Sequence, residues 1–315
     1  MAEPQRESVA IVVVTHNRAD LLARMLDSLV AQTWQPDTVI VVDNASGDHT
    51  QQVLARMSRH DLPLQVIRSE ENVGGAGGFR IGMETAYAAG WDRIWLMDDD
   101  VVPAPDCLAT LMAVDPELSA CLMCVREDLE GRLVEKSATT FDLRNPLSVR
   151  PKKASVETTY ATRAAMPPLV EIQVVAFEGF LVRREVVAAI GLPDPEFFIF
   201  YDDADFALRA RKAGFRIWAV RDAVLVRQLP FSQQHALDTW KGYYMYRNLF
   251  VVHLRYGENA AVRLKPWLIT FVVVLLSPLR GGRAEASNVI RAMRSARGMR
   301  ELSPAARPTR AQESG

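Results

Sequence analysis

Ile94-Trp95-Leu96-Met97-Asp98-Asp99-Asp100 is the stretch whose reading decides the fold. Four consecutive apolar residues leave no polar face, the pattern of a strand covered on both sides. The three carboxylates that follow place dense negative charge at its C-terminal end. Side chains of an extended segment alternate, so Asp98 and Asp100 are expected on one side and Asp99 on the other. Open α/β sheets bind ligands at that edge. Two carboxylates there make a hard-oxygen site for Mn2+ or Mg2+. Such an ion can bridge a diphosphate and neutralise its charge as it leaves. The competing reading is a solvated acidic loop.

Working towards the N-terminus, the same strand signal recurs. Val9 to Val14 is an unbroken apolar run, followed by a helical stripe of Leu22, Met25, Leu26 and Leu29. Val39 to Val42 reads as a second strand and Leu64 to Ile67 as a third, separated by a helix carrying Val53, Leu54 and Met57. The alternation predicts a mainly parallel, Rossmann-like sheet flanked by helices. Each strand ends in polar residues. Thr15-His16-Asn17-Arg18 closes the first. Asp43-Asn44-Ala45-Ser46 closes the second, where Asp43 is placed to accept bonds from a ribose or base. Turn chemistry and helix capping are the bland alternative for both. Asn72 and the glycines at 74, 75, 77 and 78 precede a helix over Ile81 to Ala89 and are expected to let phosphate or sugar hydroxyls approach the backbone. A dinucleotide fingerprint is excluded, because Arg80 stands where its third glycine belongs.

Towards the C-terminus, residues 126–168 read as an irregular excursion with a short hairpin, and regularity returns at Ile172 to Val182. A second acidic cluster, Asp202, Asp203 and Asp205, follows the apolar wall Phe197 to Tyr201 and opens a helix that stops at Gly214. Capping by the positive helix end competes with a catalytic role. A carboxylate beside such a wall is poorly hydrated, as a general base needs. The tail changes character. Trp267 to Ser277 is almost wholly apolar but short of the ~20 residues a spanning helix needs. Ile290, Met293 and Met299 alternate with Arg291, Arg294, Arg297 and Arg300, the pattern of a basic amphipathic helix lying on an anionic membrane face. The alternative is a helix packed on the protein with a solvated basic face.

The bulk numbers set outer limits. The chain has 315 residues, 49 % of them hydrophobic and 24 % charged, so it can bury a sizeable core and is not globally disordered. A net charge of -1 gives no field to attract nucleic acid, and no nucleic-acid partner is expected. Three cysteines, Cys107, Cys121 and Cys124, form neither a disulfide framework nor a zinc site, and are expected as buried strand residues in a reducing cytoplasm. Met1 to Ser8 is polar and the run from Val9 is too short for a signal-peptide core. The expected division is residues 1–230 as a catalytic domain, 231–302 as a helical, membrane-associating region, and 303–315 as a disordered tail.

Taken together, VVVTHNR at 12–18, VVDNASGD at 41–48, NVGGAGGF at 72–79, WLMDDD at 95–100 and FFIFYDDADFALRARKAGF at 197–215 resemble family 2 of the inverting, GT-A-fold glycosyltransferases. Within it, the glycine loop followed by MDDD and YDDAD is most similar to galactofuranosyltransferases of cell-wall galactan synthesis. The resemblance implies UDP-galactofuranose as donor and a polyprenyl-diphosphate-linked glycan as acceptor, and the basic C-terminal segment is expected to hold the chain, as a peripheral protein, at the inner, cytoplasmic face of the membrane where that acceptor presents its sugar. It implies nucleotide binding by Thr15, Asn17, Arg18, Asp43, Asn72, Gly75 and Asp98, with Arg18 near the diphosphate. It implies metal binding by Asp98 and Asp100, and Asp203 as the base. Glu178, Gly179, Phe180 and Asp202 match the acceptor side. One departure stands out. Related enzymes place a metal-binding His after the strand following the base helix; here that strand, Ala223 to Val226, runs into Arg227 and Gln228. His235, Gln228, water or the charge of Arg227 are the substitutes this leaves. A dTDP-rhamnose-dependent transferase is the near rival, and a non-catalytic sugar-nucleotide-binding protein the rival of another class. A nucleotidyltransferase fits less well, since Val9 to Arg18 has no glycine.

Overall fold

The computed structural model describes residues 6–58, 62–148, 150–229, 237–279 and 282–307. The first half alternates as expected: β1 (Val9–Thr15), α1 (Ala19–Val30), β2 (Thr38–Asp43), α2 (Thr50–Met57), β3 (Leu64–Arg68), α3 (Gly74–Ala89) and β4 (Arg93–Asp98). Then come β5 (Val101–Pro103), α4 (Cys107–Met112), β6 (Cys121–Glu127), a hairpin of β7 (Ala138–Phe141) and β8 (Lys152–Ser155), and the single turn α5 (Val156–Thr159). They are followed by β9 (Leu169–Ile172), β10 (Phe180–Arg183), α6 (Arg184–Ile190), α7 (Asp202–Lys212) and β11 (Ile217–Arg227). Three helices close the chain, α8 (Trp240–Tyr256), α9 (Ala260–Leu276) and α10 (Gly282–Gly298).

The main sheet runs β3-β2-β1-β4-β10-β6-β11-β5, with β9 paired to β11. β1 to β4 are mutually parallel, and β10 enters antiparallel between β4 and β6. The apolar runs explain this centre. Ala10, Val12 and Val14 face the core under α3, while Val9, Ile11 and Val13 face the core under α1, α2 and α4. A strand covered on both faces has no need of alternation. All three cysteines are buried and free.

Three expectations need correction. The segment Ile172 to Val182 is not one regular element: β9 pairs with β11, while β10 pairs with β4 and β6. The basic helix α10 packs on α8 and α9 and buries Val289, Ala292, Met293 and Ala296, leaving its arginines solvated. Its apolar face is satisfied by protein, so the membrane-lying reading of that helix fails. The expected disorder does not begin at Ser303. Leu192 N–H donates to Ala306 O at 3.0 Å and Arg80 Nε to Ala305 O at 3.0 Å, pinning the 303–307 turn; residues 308–315 lie outside the described residues. Among the described residues, no helix is long and apolar enough to cross a membrane.

Candidate active site

The acidic edge forms where β4 ends. Alternation stops at Asp98, because Asp99 and Asp100 make a turn into β5. Asp99 therefore does not point away. Thr15 Oγ1 donates to its Oδ2 at 2.7 Å, and Arg18 Nη1 lies 3.0 Å from its Oδ1 and 3.4 Å from Asp100 Oδ2. Thr15 and Arg18, predicted to hold nucleotide, are thus tied to the Asp98–Asp100 turn. Asp99 is a positioning group that strand periodicity concealed.

Glu178 joins this edge to the second acidic cluster. It precedes Gly179, whose N–H bonds Leu96 O at 2.8 Å and whose carbonyl accepts from Cys124 N–H at 3.0 Å. An added Cβ at Gly179 would lie 2.3 Å from Leu225, so only glycine lets this segment cross the sheet so closely. Glu178 is ion-paired with Arg126, and Arg227 Nη1 lies 3.8 Å from it. Arg126 is fully buried and also makes a bidentate pair with Glu135, at 3.0 and 2.9 Å. Burial pushes the Glu178 carboxyl up, but Arg126 and Arg227 outweigh it and hold the group below its usual range. Glu178 is therefore a fixed negative charge. Phe180, also predicted on the acceptor side, is a core residue of β10, stacked on Phe177 and meeting Phe206 edge-on.

The carboxylates raise one another. Burial pushes Asp98 well up, and the charges of Glu178, Asp100 and Asp99 add to it. Asp100 is raised by burial and Glu178, against Arg227, Arg18 and Arg126. Asp203, half-buried at the start of α7, is pushed up to about 6 by burial. The Ala204 N–H opposes that shift, Glu178 adds to it, and Lys152 and Arg126 oppose it. The charge of Glu178 thus reaches both acidic clusters, which lie about 100 residues apart in sequence. Asp202 is buried and raised well up by burial and Asp203. Asp205 is structural: it accepts from Arg209 at 2.9 Å, Arg255 at 2.9 Å and Tyr256 at 2.6 Å.

The predicted nucleotide residues divide. Asp43 is fully buried, and its carboxylate accepts from Ser46 N–H at 2.9 Å and from Gln51, holding its own turn. Asn17 accepts from Gly47 N–H at 2.7 Å. Asn72 Oδ1 accepts from Gly74 N–H at 2.9 Å and from Asn44 Nδ2 at 3.0 Å. The glycines lie not in a loop ahead of a helix starting at Ile81 but in the first turns of α3 itself, and most of them serve packing. A Cβ on Gly74 would lie 2.1 Å from Phe198 O, on Gly77 2.7 Å from Val73, and on Gly78 2.6 Å from Val14. Of these four glycines, only Gly75 opens on free space. The loop meets an unusual segment: Phe198, Phe200 and Tyr201 all have positive φ, at 63°, 67° and 66°. Asn248 of α8 holds that segment by donating to the carbonyls of Phe197, Ile199 and Phe200 at 3.0, 2.7 and 2.9 Å.

Hard oxygen ligands are present for a cation. Asp100 Oδ1 is buried with no hydrogen-bond partner, and Asp98 stands half-buried beside it. No group of three His, Cys, Asp or Glu suited to metal gathers among the described residues. Arg227, 3.8 Å from Asp100 Oδ2, stands near the carboxylates, and Gln228 donates its N–H to Asp100 O at 2.8 Å. His235 lies outside the described residues.

A mainly parallel α/β fold with an acidic edge where its central strand ends is the class these features define. The family model for glycosyl transferase family 2 matches residues 10–190, and the chain belongs to that family. It is 35 % identical over 255 residues to galactofuranosyltransferase GlfT1 of Mycobacterium tuberculosis, covering 77 % of this chain and 81 % of that protein. Among solved structures it resembles the mannosyltransferase PcManGT of Pyrobaculum calidifontis in complex with GDP-Man and Mn2+, with a TM-score of 0.56 and 22 % identity over 95 % of this chain and 77 % of that one. TarS 1–349 of S. aureus in complex with UDP gives a TM-score of 0.55 at 17 % identity, covering 93 % and 88 %. The fold is GT-A, and the chain is a glycosyltransferase.

Proposed function

We propose that the chain transfers galactofuranose from UDP-galactofuranose, with inversion, to a polyprenyl-diphosphate-linked glycan at the inner face of the cell membrane. The observation that carries this reading is the acidic edge, where Arg18 lies 3.4 Å from Asp100 and Arg227 lies 3.8 Å from both Asp100 and Glu178. The identity to GlfT1 supports the donor sugar.

Asp203 accepts the proton of the acceptor hydroxyl. The freed oxygen attacks the anomeric carbon on the face opposite UDP, the bond from that carbon to the diphosphate oxygen breaks, and UDP departs. A carboxyl held near 6 is ionised at neutral pH yet basic enough to take that proton. Arg18, already on Asp99 and Asp100, faces the departing diphosphate. Asp98 and Asp100 would hold Mn2+ or Mg2+, which supplies charge neutralisation of the leaving group. Thr15, Asn17, Asn72 and Gly75 line the donor side. Asp43 supports it by fixing its turn, and Glu178, Gly179 and Asp202 shape the acceptor side.

Arg227 accounts for the missing third metal ligand. Its guanidinium adds fixed positive charge beside Asp100, at the position where the family resemblance led to the expectation of a His. Donor screening with UDP-galactofuranose, UDP-hexopyranoses and dTDP-rhamnose on a lipid-linked acceptor tests the assignment. Transfer from UDP-galactofuranose is expected. Transfer from dTDP-rhamnose alone, or UDP binding with no transfer from any donor, would overturn it.

A further inference from the structure

Large apolar side chains left in water on this molecule gather in one place. Of the 15 exposed large hydrophobics among the described residues, nine lie between Leu264 and Leu279. Leu264, Leu268, Phe271 and Leu275 recur at helical spacing along the outer side of α9, and all four are 60 % exposed or more. The inner side of the helix packs on α8 and α10 through Val273 and Ile269. Exposed apolar side chains gathered in one patch mark a contact surface.

The surface extends beyond the helix. Lys265 of α9, itself buried, donates to Asn145 O at 2.7 Å and Ser148 O at 2.8 Å. Asn259 donates to Arg144 O at 2.7 Å. These bonds seat the loop between β7 and β8 against the first turns of α9, with Leu147 at its tip, 89 % exposed. The same hairpin packs Ala138, Phe141 and Leu143 against Ala204 and Leu208 of α7, the helix that carries Asp203. The apolar face thus continues onto the strand pair that reaches the acceptor side of the site.

We propose that the outer stripe of α9 and the Leu147 loop form one face that inserts into the interfacial layer of an anionic phospholipid bilayer, so that a lipid-anchored acceptor enters from the membrane directly beside Asp203. This deepens the lipid-linked-acceptor reading above and rests on it. Charge selects the occupant. From Asn259 to Arg283 the chain has no Asp or Glu; around the face Arg144, Arg150, Lys153 and Arg263 are exposed and outnumber the nearby carboxylates Asp142 and Glu258. A second copy docked by two-fold symmetry would set this cationic rim against itself. Anionic headgroups neutralise it, while the apolar stripe enters the acyl boundary.

The test is flotation of the full chain with vesicles of phosphatidylcholine alone or with about 30 % phosphatidylglycerol. The wild type is expected to float with the anionic vesicles. Phe271→Asp with Leu275→Asp, and separately Leu147→Asp, are expected to weaken partitioning by about tenfold or more. These side chains project into water, so thermal melting and UDP retention should match the wild type. No flotation of the wild type, or variants that float equally well, would overturn the proposal. So would a dimer that the same substitutions dissolve without any lipid binding. Flotation persisting in a chain unable to retain UDP would sink the enzyme reading and leave this surface standing.

Discussion

Replacing Asp203 by Asn should make the protein more stable and nearly inactive at the same time. The carboxamide keeps an oxygen for the Ala204 N–H, which now reaches Asp203 Oδ1 at 2.6 Å, and it removes only the charge. In the native state Asp203 keeps its proton up to about 6, against an ordinary 3.8. Between those values the folded chain binds more protons than the unfolded one, so stability falls as pH rises through that window and stays reduced above it. At about 1.4 kcal/mol for each tenfold in proton affinity, the ionised group costs at most about 3 kcal/mol near pH 8. A neutral carboxamide at this position escapes that cost. For a chain of this length the gain is about 4–6 °C in Tm near pH 8, vanishing below about pH 4. Loss of the base should lower transfer by about 10²- to 10⁴-fold, with UDP affinity unchanged. Melting curves across pH, UDP titration and a transfer assay on one preparation check all three. Transfer at the wild-type rate in the Asp203→Asn variant, or a Tm difference independent of pH, would refute the reasoning.

Other outcomes follow from the same geometry. Glu178→Gln removes a negative charge that raises Asp203, so the acidic limb of the kcat/KM profile should move below its wild-type position near 6; an unmoved limb would disconnect the two groups. Arg227→His removes positive charge beside Asp100 and adds a neutral ligand, and should tighten Mn2+ binding in the presence of UDP by about tenfold or more, read by calorimetry. Gly74→Ala, with its Cβ 2.1 Å from Phe198 O and a φ of 74°, should destabilise by about 2 kcal/mol or more, whereas Gly75→Ala, facing open space, should keep Tm and raise the KM for donor. Asp205→Asn should cost about 3–5 kcal/mol by leaving Arg255 and Arg209 short of their partner, measured by denaturant unfolding.

Much of this was legible in the residues because the central strands are covered on both faces. Val9 to Val14 and Ile94 to Met97 are apolar without interruption, and only a buried strand or a longer helix tolerates that. What escaped detection depended on where the chain turns. Alternation assigned Asp99 to the wrong side because the extended backbone ends one residue earlier, at Asp98. The glycine loop looked like a ligand cradle, yet Gly74, Gly77 and Gly78 serve contacts with Phe198, Val73 and Val14 that only the tertiary fold creates. Arg126 fell within a stretch read as irregular, and a lone arginine near the end of a strand carries no local sign of its partners Glu135 and Glu178. Amphipathicity marked α10 correctly as two-faced, but period alone does not distinguish a lipid surface from a neighbouring helix.

The grip of Asn248 on Phe197, Ile199 and Phe200 has a consequence for how activity emerges during synthesis. Three carbonyl anchors hold a left-handed kink immediately ahead of Asp203, and they come from a helix that begins only at Trp240. A nascent chain released near residue 230 would already carry every acidic group of the pocket. It would still lack the clasp that aims one of them. Such a chain would stay inert until its last helices left the ribosome, and lesions far downstream of the acidic motifs would register as catalytic defects.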